Sequence, residues 1–203
     1  RKVMRITLLI LFIIGGLSVL SSVSGRQHKT NSLQTKDTRM HNRTEERLEI
    51  SFKFQRGGIA SSQYAIWIEN DEGQLVRTIY TTSFTAKGGY KYRKDAIPFW
   101  VSKANPKDMS SEQVDAITGA TPRNGILVYQ WDGTDEKGNH VPTGDYKLFI
   151  EGTLYWTSRV IYSGEFTWGN KELTSVPVKV QHFNQQPNNQ NMITELKVCH
   201  FKN

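Results

Sequence analysis

Apolar residues in this chain recur at every second position in short runs, and they nowhere follow helical spacing over a length that could line a core. Leu48, Ile50, Phe52 and Phe54 alternate with Glu49, Ser51 and Lys53. Successive side chains of a strand point to opposite faces, so this pattern predicts a strand with one face buried. Residues 64–69 and 75–81 are rich in β-branched and aromatic residues. The link between them, Asn70-Asp71-Glu72-Gly73-Gln74, is the short polar connection of a hairpin. Residues 126–131 and 146–151 read as a second such pair, joined by Asp132-Gly133-Thr134-Asp135-Glu136-Lys137-Gly138-Asn139. Further strands are expected at 159–166, 176–180 and 193–201, the last with Ile193, Leu196, Val198 and Phe201 as its apolar positions. Seven or eight short strands with turn residues between them predict an all-β fold, an antiparallel sandwich.

The opening residues bear on the compartment. Arg1, Lys2 and Arg5 precede an apolar run from Ile6 to Ile14, followed by small residues up to Gly25. That order is the layout of a secretory signal peptide over residues 1–25, with cleavage expected near Val23-Ser24-Gly25. The run is interrupted by Gly15, Gly16 and Ser18, whereas a spanning helix needs about 20 predominantly apolar residues, so no stable membrane span is expected after cleavage. Residues 26–43 are polar and basic and read as a flexible linker. The formal charge of +7 belongs to these two segments. Eight of the 26 Lys and Arg precede Thr44 against the single acid Asp37, which leaves 18 bases and 18 acids beyond it. The domain over 44–203 is thus neutral, and nucleic acid is not an expected partner.

Residue inventory also narrows the chemistry. Cys199 is the only cysteine, so there is no internal disulfide and no Cys-x-x-Cys-His haem attachment. His28, His41, His140, His182 and His200 lack metal-ligand spacing. Asp132, Asp135, Glu136 and Asn139 offer oxygens, but their spacing is not that of the twelve-residue calcium loop, and ordinary turn chemistry accounts for them. No serine sits in a nucleophile elbow, so no catalytic residue is assigned. The polar stretches 170–172 and 181–191 read as loops.

One long insertion, residues 82–125, interrupts the strands. It carries Gly88-Gly89, the aromatics Tyr90, Tyr92, Phe99 and Trp100, and one short helix expected over about 110–117. Connections this long in compact domains usually serve function. It closes on Asp115-Ala116-Ile117-Thr118-Gly119-Ala120-Thr121. A helix ending at Ile117 with Gly119 as its stop would use the same letters.

From about residue 48 onward the chain resembles the predicted periplasmic proteins called domain of unknown function 2271. The residues that carry this are Ala65-Ile66-Trp67-Ile68-Glu69 with Leu75-Val76-Arg77-Thr78, the segment 115–121, and Trp131 to Asn139 running into Val141-Pro142-Thr143-Gly144-Asp145-Tyr146. The last stretch is also similar to the immunoglobulin-like module of flagellar hook-cap proteins, which implies an immunoglobulin-like form of the sandwich. A shared fold does not fix function.

The segment 115–121 is similar to the Asp-x-x-(Ser/Thr)-Gly-Ala-Thr site of extracytosolic flavin-binding domains. There a flavin transferase takes FMN from FAD and esterifies its phosphate to the final hydroxyl. The resemblance implies covalent FMN on Thr121, with Asp115, Thr118, Gly119 and Ala120 as the recognition site. A hydroxyl is the required acceptor. Gly119 permits unusual backbone angles and close approach, and Pro122 biases Thr121 toward an extended conformation. Asp115 would bond turn amides or meet the transferase's cation. Tyr90, Tyr92, Phe99, Trp100 and Trp131 are the aromatics expected to shield the ring, Trp100 and Tyr92 foremost. The resulting expectation is a periplasmic or otherwise secreted electron carrier rather than an enzyme with its own substrate. Its partners would be a flavin transferase and a membrane flavoprotein or haem protein. The alternative is a non-redox binding or assembly module that uses the sandwich edges and the aromatic insertion. A weaker third is a sugar- or metal-binding accessory domain.

Overall fold

The computed structural model describes residues 46–57, 62–155, 157–169, 174–184 and 192–202. All belong to the second of two units, Asn42–Asn203. The expected leader, the linker and the loop segments 170–172 and 185–191 lie outside the described residues. The chain is mostly β. Its strands are β1 (Arg47–Phe54), β2 (Gln63–Asn70), β3 (Leu75–Thr82), β4 (Thr118–Gly119), β5 (Gly125–Trp131), β6 (Gly144–Tyr155), β7 (Ser158–Trp168), β8 (Thr174–Ser175), β9 (Val178–Phe183) and β10 (Ile193–Phe201). Helices α1 (Ser83–Ala86), α2 (Pro98–Ala104) and α3 (Ser111–Ile117) lie between β3 and β4.

Two sheets pack as a sandwich. One has the order β5-β1-β10-β8, the other β4-β3-β2-β6-β7-β9. Pairing is antiparallel except between β3 and β4, which makes the larger sheet mixed. The alternation in β1 works as expected, since Leu48, Ile50, Phe52 and Phe54 are buried between the sheets. Opposite them lie Tyr64, Ile66 and Ile68 of β2 and Tyr146, Leu148 and Ile150 of β6. In β10 the expected apolar set changes phase. Ile193 and Val198 are buried although one is odd and the other even, because the pairing with β1 shifts between Ser51 and Lys53 and Glu195 has φ 54°. A bulge admits one extra residue and so moves the following side chains to the other face.

Two expectations change. The expected hairpin of residues 70–74 joins β2 to β3, but β5 and β6 do not pair. β5 lies against β1 in one sheet and β6 between β2 and β7 in the other. The connection after β5 is instead a self-contained loop that crosses between sheets. Asp132 accepts from the Thr134 amide and hydroxyl (3.1 and 2.6 Å), and Asp135 accepts from the Lys137 and Asn139 amides (2.8 Å each). Glu136 then accepts from the Thr78 amide (2.7 Å) and Arg77 donates to the Asp135 carbonyl (2.7 Å), which docks the loop on β3. Gly133 is needed there: its φ is 77°, and a Cβ would lie 2.2 Å from the Trp168 ring. The second change is that residues 181–183, read as loop, continue strand β9 to its end.

The insertion runs between the end of β3 and the start of β5, as expected, but it is more than a loop with one helix. It lies on the outer face of the larger sheet and builds a second core from Ala65, Trp67, Ala86, Ile97, Trp100, Ala104, Val114 and Ile117. Strand β2 is consequently buried on both faces over Gln63 to Glu69. The start of α2 is pinned to β6. Glu151 accepts from the Phe99 and Trp100 amides (3.2 and 2.8 Å), and Thr153 accepts from the Ile97 amide (3.0 Å) and donates to the Asp95 carbonyl (3.0 Å).

Candidate functional site

Helix α3 delivers the motif. Its N-terminus is a capping box, in which the Ser110 hydroxyl accepts from the Gln113 amide (3.2 Å) and the Gln113 side chain accepts from the Ser110 amide (2.8 Å). Val114 and Ile117 are buried in the second core, leaving Asp115 on the solvent side. The Asp115 carboxylate lies 2.7 Å from the Lys87 ammonium. Both groups are more than half exposed, and such pairs contribute less than about 1 kcal/mol, so this one exchanges easily for another cation.

The helix ends because Thr118 turns extended (φ −103°, ψ 151°) and pairs with Thr81, with Gly119 beside Thr82. Gly119 is therefore not a left-handed helix stop, and its φ is not positive. What requires glycine here is proximity, since a Cβ would meet the Tyr80 ring at 2.8 Å. The Ser83 hydroxyl donates to the Gly119 carbonyl (2.9 Å), and the Tyr80 hydroxyl donates to the Ala120 carbonyl (3.0 Å). Ala120 is exposed and Thr121 half-buried, beyond the last sheet pairing. Asn124 accepts from the Arg56 amide (2.7 Å) and ties down the far side. The motif is thus held at the edge of the larger sheet, with its two central carbonyls fixed from β3 and α1.

A Gly119→Ala variant should lose about 1–3 kcal/mol in urea unfolding, because the Tyr80 ring must leave its place to admit the methyl group. Unchanged stability would show that the close approach is not rigid.

Tyr80 belongs to a tyrosine cluster. Its ring stacks on Tyr64 (4.8 Å between centroids) and lies 5.2 Å from Tyr129, and the Tyr64 and Tyr129 hydroxyls are 2.5 Å apart. Burial raises the Tyr64 and Tyr80 phenols and pushes Tyr129 up to about 12, so all three stay neutral near pH 7.

The expected shielding aromatics separate. Tyr92 is exposed, just after the turn Gly89–Lys91. Trp100 has no exposed surface and donates from its indole to the Thr78 hydroxyl (3.2 Å). A ring so enclosed has no face for a flavin, and its role is to fasten α2 to the sheet. Trp131 is likewise buried between the sheets, against Trp168. The aromatic that does contact the motif is Tyr80, with the half-exposed Phe84 of α1 on the element that touches β4. Sequence reasoning missed Tyr80 and Ser83, and only the parallel β3/β4 pairing brings them to Gly119 and Ala120.

Among the described residues no helix is long and apolar enough to cross a membrane. No curated protein and no solved structure matches the chain. A family model described as predicted periplasmic protein (DUF2271) matches residues 45–184, from β1 through β9 and including the whole insertion. That description bears out the expected location, periplasmic or otherwise secreted. The chain belongs to the DUF2271 family.

Proposed function

We propose that this protein is an exported flavin carrier that bears FMN, linked through its phosphate to Thr121, and relays electrons outside the cytosol. The observation that supports this most is the placement of residues 118–121. They belong to neither hydrophobic core, Gly119 and Ala120 are held by Ser83 and Tyr80 through backbone carbonyls, and Thr121 keeps part of its surface open. The residues fit the group: a half-buried threonine, an exposed Ala120 beside it, a carboxylate in a weak ion pair, and the aromatic ring of Tyr80 against the motif.

In the loading step the Thr121 oxygen forms a bond to the FMN phosphorus of FAD. The pyrophosphate bond breaks, AMP leaves, and the hydroxyl proton passes to a base of the flavin transferase. Asp115 would exchange Lys87 for a cation of the transferase. When bound, the flavin supplies the electron transfer, and the protein supplies position and surroundings. The electron partner in this reading is a membrane flavoprotein or a haem protein.

Co-expression with a flavin transferase tests the reading. Wild-type protein should gain the mass of FMN and fluoresce yellow in a denaturing gel, and Thr121→Val should abolish both signals while leaving the fold intact by circular dichroism. Unmodified wild-type protein under those conditions would overturn it and leave the non-redox binding module.

A further inference from the structure

On the outer face of the same sheet, beyond α2, lies a groove of about 690 Å³, within the range of small-molecule sites. Its floor is β6, β7 and β9, whose register sets Phe149, Ser163 and Lys179 in one row and Thr153, Arg159 and Phe183 four positions further along, with Glu151, Ile161 and Gln181 between them on the same face. The start of α2, with Pro98 and Phe99, forms one wall. Three phenylalanines line the groove. Phe149 is held in place by Trp67 stacked behind it (5.2 Å, 13°) and by Phe99 edge-on (5.9 Å, 64°). Two cations line it as well, and no carboxylate is among its described lining residues.

Arg159 is fixed rather than free. Its guanidinium lies 4.3 Å over the Phe183 ring and 3.5 Å from the buried Glu151 carboxyl, which itself caps α2. Lys179 is exposed and stands where this groove meets an adjoining hollow of about 410 Å³. The one acid of that hollow, Glu165, is paired with Lys147 at 3.2 Å. Apolar walls with one cation in the row of Phe149 and another in the row of Phe183 match a small molecule that carries an aromatic ring and an anionic group. The ring would lie against Phe149 and Phe183, and the anion would meet Lys179 and Arg159.

We infer that the groove bounded by α2, β7 and β9 is a binding site for a small aromatic anion, with Lys179 and Arg159 as the charge partners and Phe99, Phe149 and Phe183 as the ring contacts. Strands β3, β2 and β6 lie between β4 and β7, a separation of about 19 Å at the usual strand spacing. The inference is therefore independent of any modification of Thr121.

The test is a titration of the folded protein with naphthalene-2-carboxylate and with the uncharged naphthalene-2-carboxamide, followed by amide NMR shifts and calorimetry. The carboxylate should saturate, shift the amides of Phe99, Phe149, Arg159 and Phe183, and bind roughly tenfold or more tightly than the carboxamide. Lys179→Glu changes an exposed side chain and should weaken the carboxylate about tenfold while moving the carboxamide less than about twofold. Gln181→Lys, which adds a cation on the same strand, should strengthen the carboxylate. Equal affinity for the two probes, shifts elsewhere on the protein, no saturation, or indifference to both substitutions would overturn the inference.

Discussion

Replacing Trp100 by alanine should lower the unfolding free energy by about 3–5 kcal/mol, the cost typical of emptying the space of a fully buried tryptophan. For a domain of this size that is a fall in Tm of about 10 °C or more. The indole has no exposed surface, packs in the second core with Ile97 and Ala104, and satisfies its N–H on Thr78. Its loss leaves both a void and an unpaired buried hydroxyl on β3. Tyr92→Ala, by contrast, removes an exposed ring and should change stability by no more than about 0.5 kcal/mol. Thermal unfolding of the two variants decides whether the insertion is a structural layer of the sandwich. If Trp100→Ala were as mild as Tyr92→Ala, the insertion would be a loop resting on a sheet that is stable without it.

A second large effect concerns pH. Burial under α2 pushes the Glu151 carboxyl up to about 7, against the opposing pull of the Trp100 and Phe99 amides and of Arg159. In the unfolded chain the group titrates near its ordinary value of 4.5. Between those two values the folded protein holds a proton that the unfolded chain has released, so stability falls as pH rises. This contribution is complete below about 4.5, is lost progressively up to about 7, and is absent above. The window corresponds to on the order of 3 kcal/mol. Denaturant unfolding of wild-type protein and Glu151→Gln at intervals from pH 5 to pH 8 isolates it. The variant has no proton to lose at this position, so its profile should be flatter than wild type by about that amount. Parallel profiles would mean that Glu151 is ionised throughout, held by Arg159 and the two amides.

How far these features could be read in advance differs between them. The strands were legible because period-2 alternation reports a face directly: β1 and the β2/β3 hairpin follow from their own residues. The helix α3 was legible too, because Ser110 and Gln113 form a local capping box. Strand pairing was not. The turn residues 132–139 say that the chain bends, and they do bend as read, but nothing in them says that β6 crosses to the other sheet. The aromatics of the insertion looked alike in the sequence, and whether a ring is buried or exposed depends on a sheet face contributed by residues 65–67 and 149–153. At the motif, Gly119 was expected to leave room for the flavin-loading partner, and what lies against it in the fold is the ring of Tyr80, 39 residues earlier.

Local chemistry by itself determined what could be settled by neighbours a few residues apart. That includes the β class of the chain, the cap of α3 and the turn chemistry of 132–139. Tertiary structure alone decided which strands share a sheet, that the insertion forms a second core, which cations line the groove, and which groups hold Gly119 and Ala120. The reason is that these depend on burial and on contacts between residues distant in sequence. A side chain's own identity carries no record of which face will cover it.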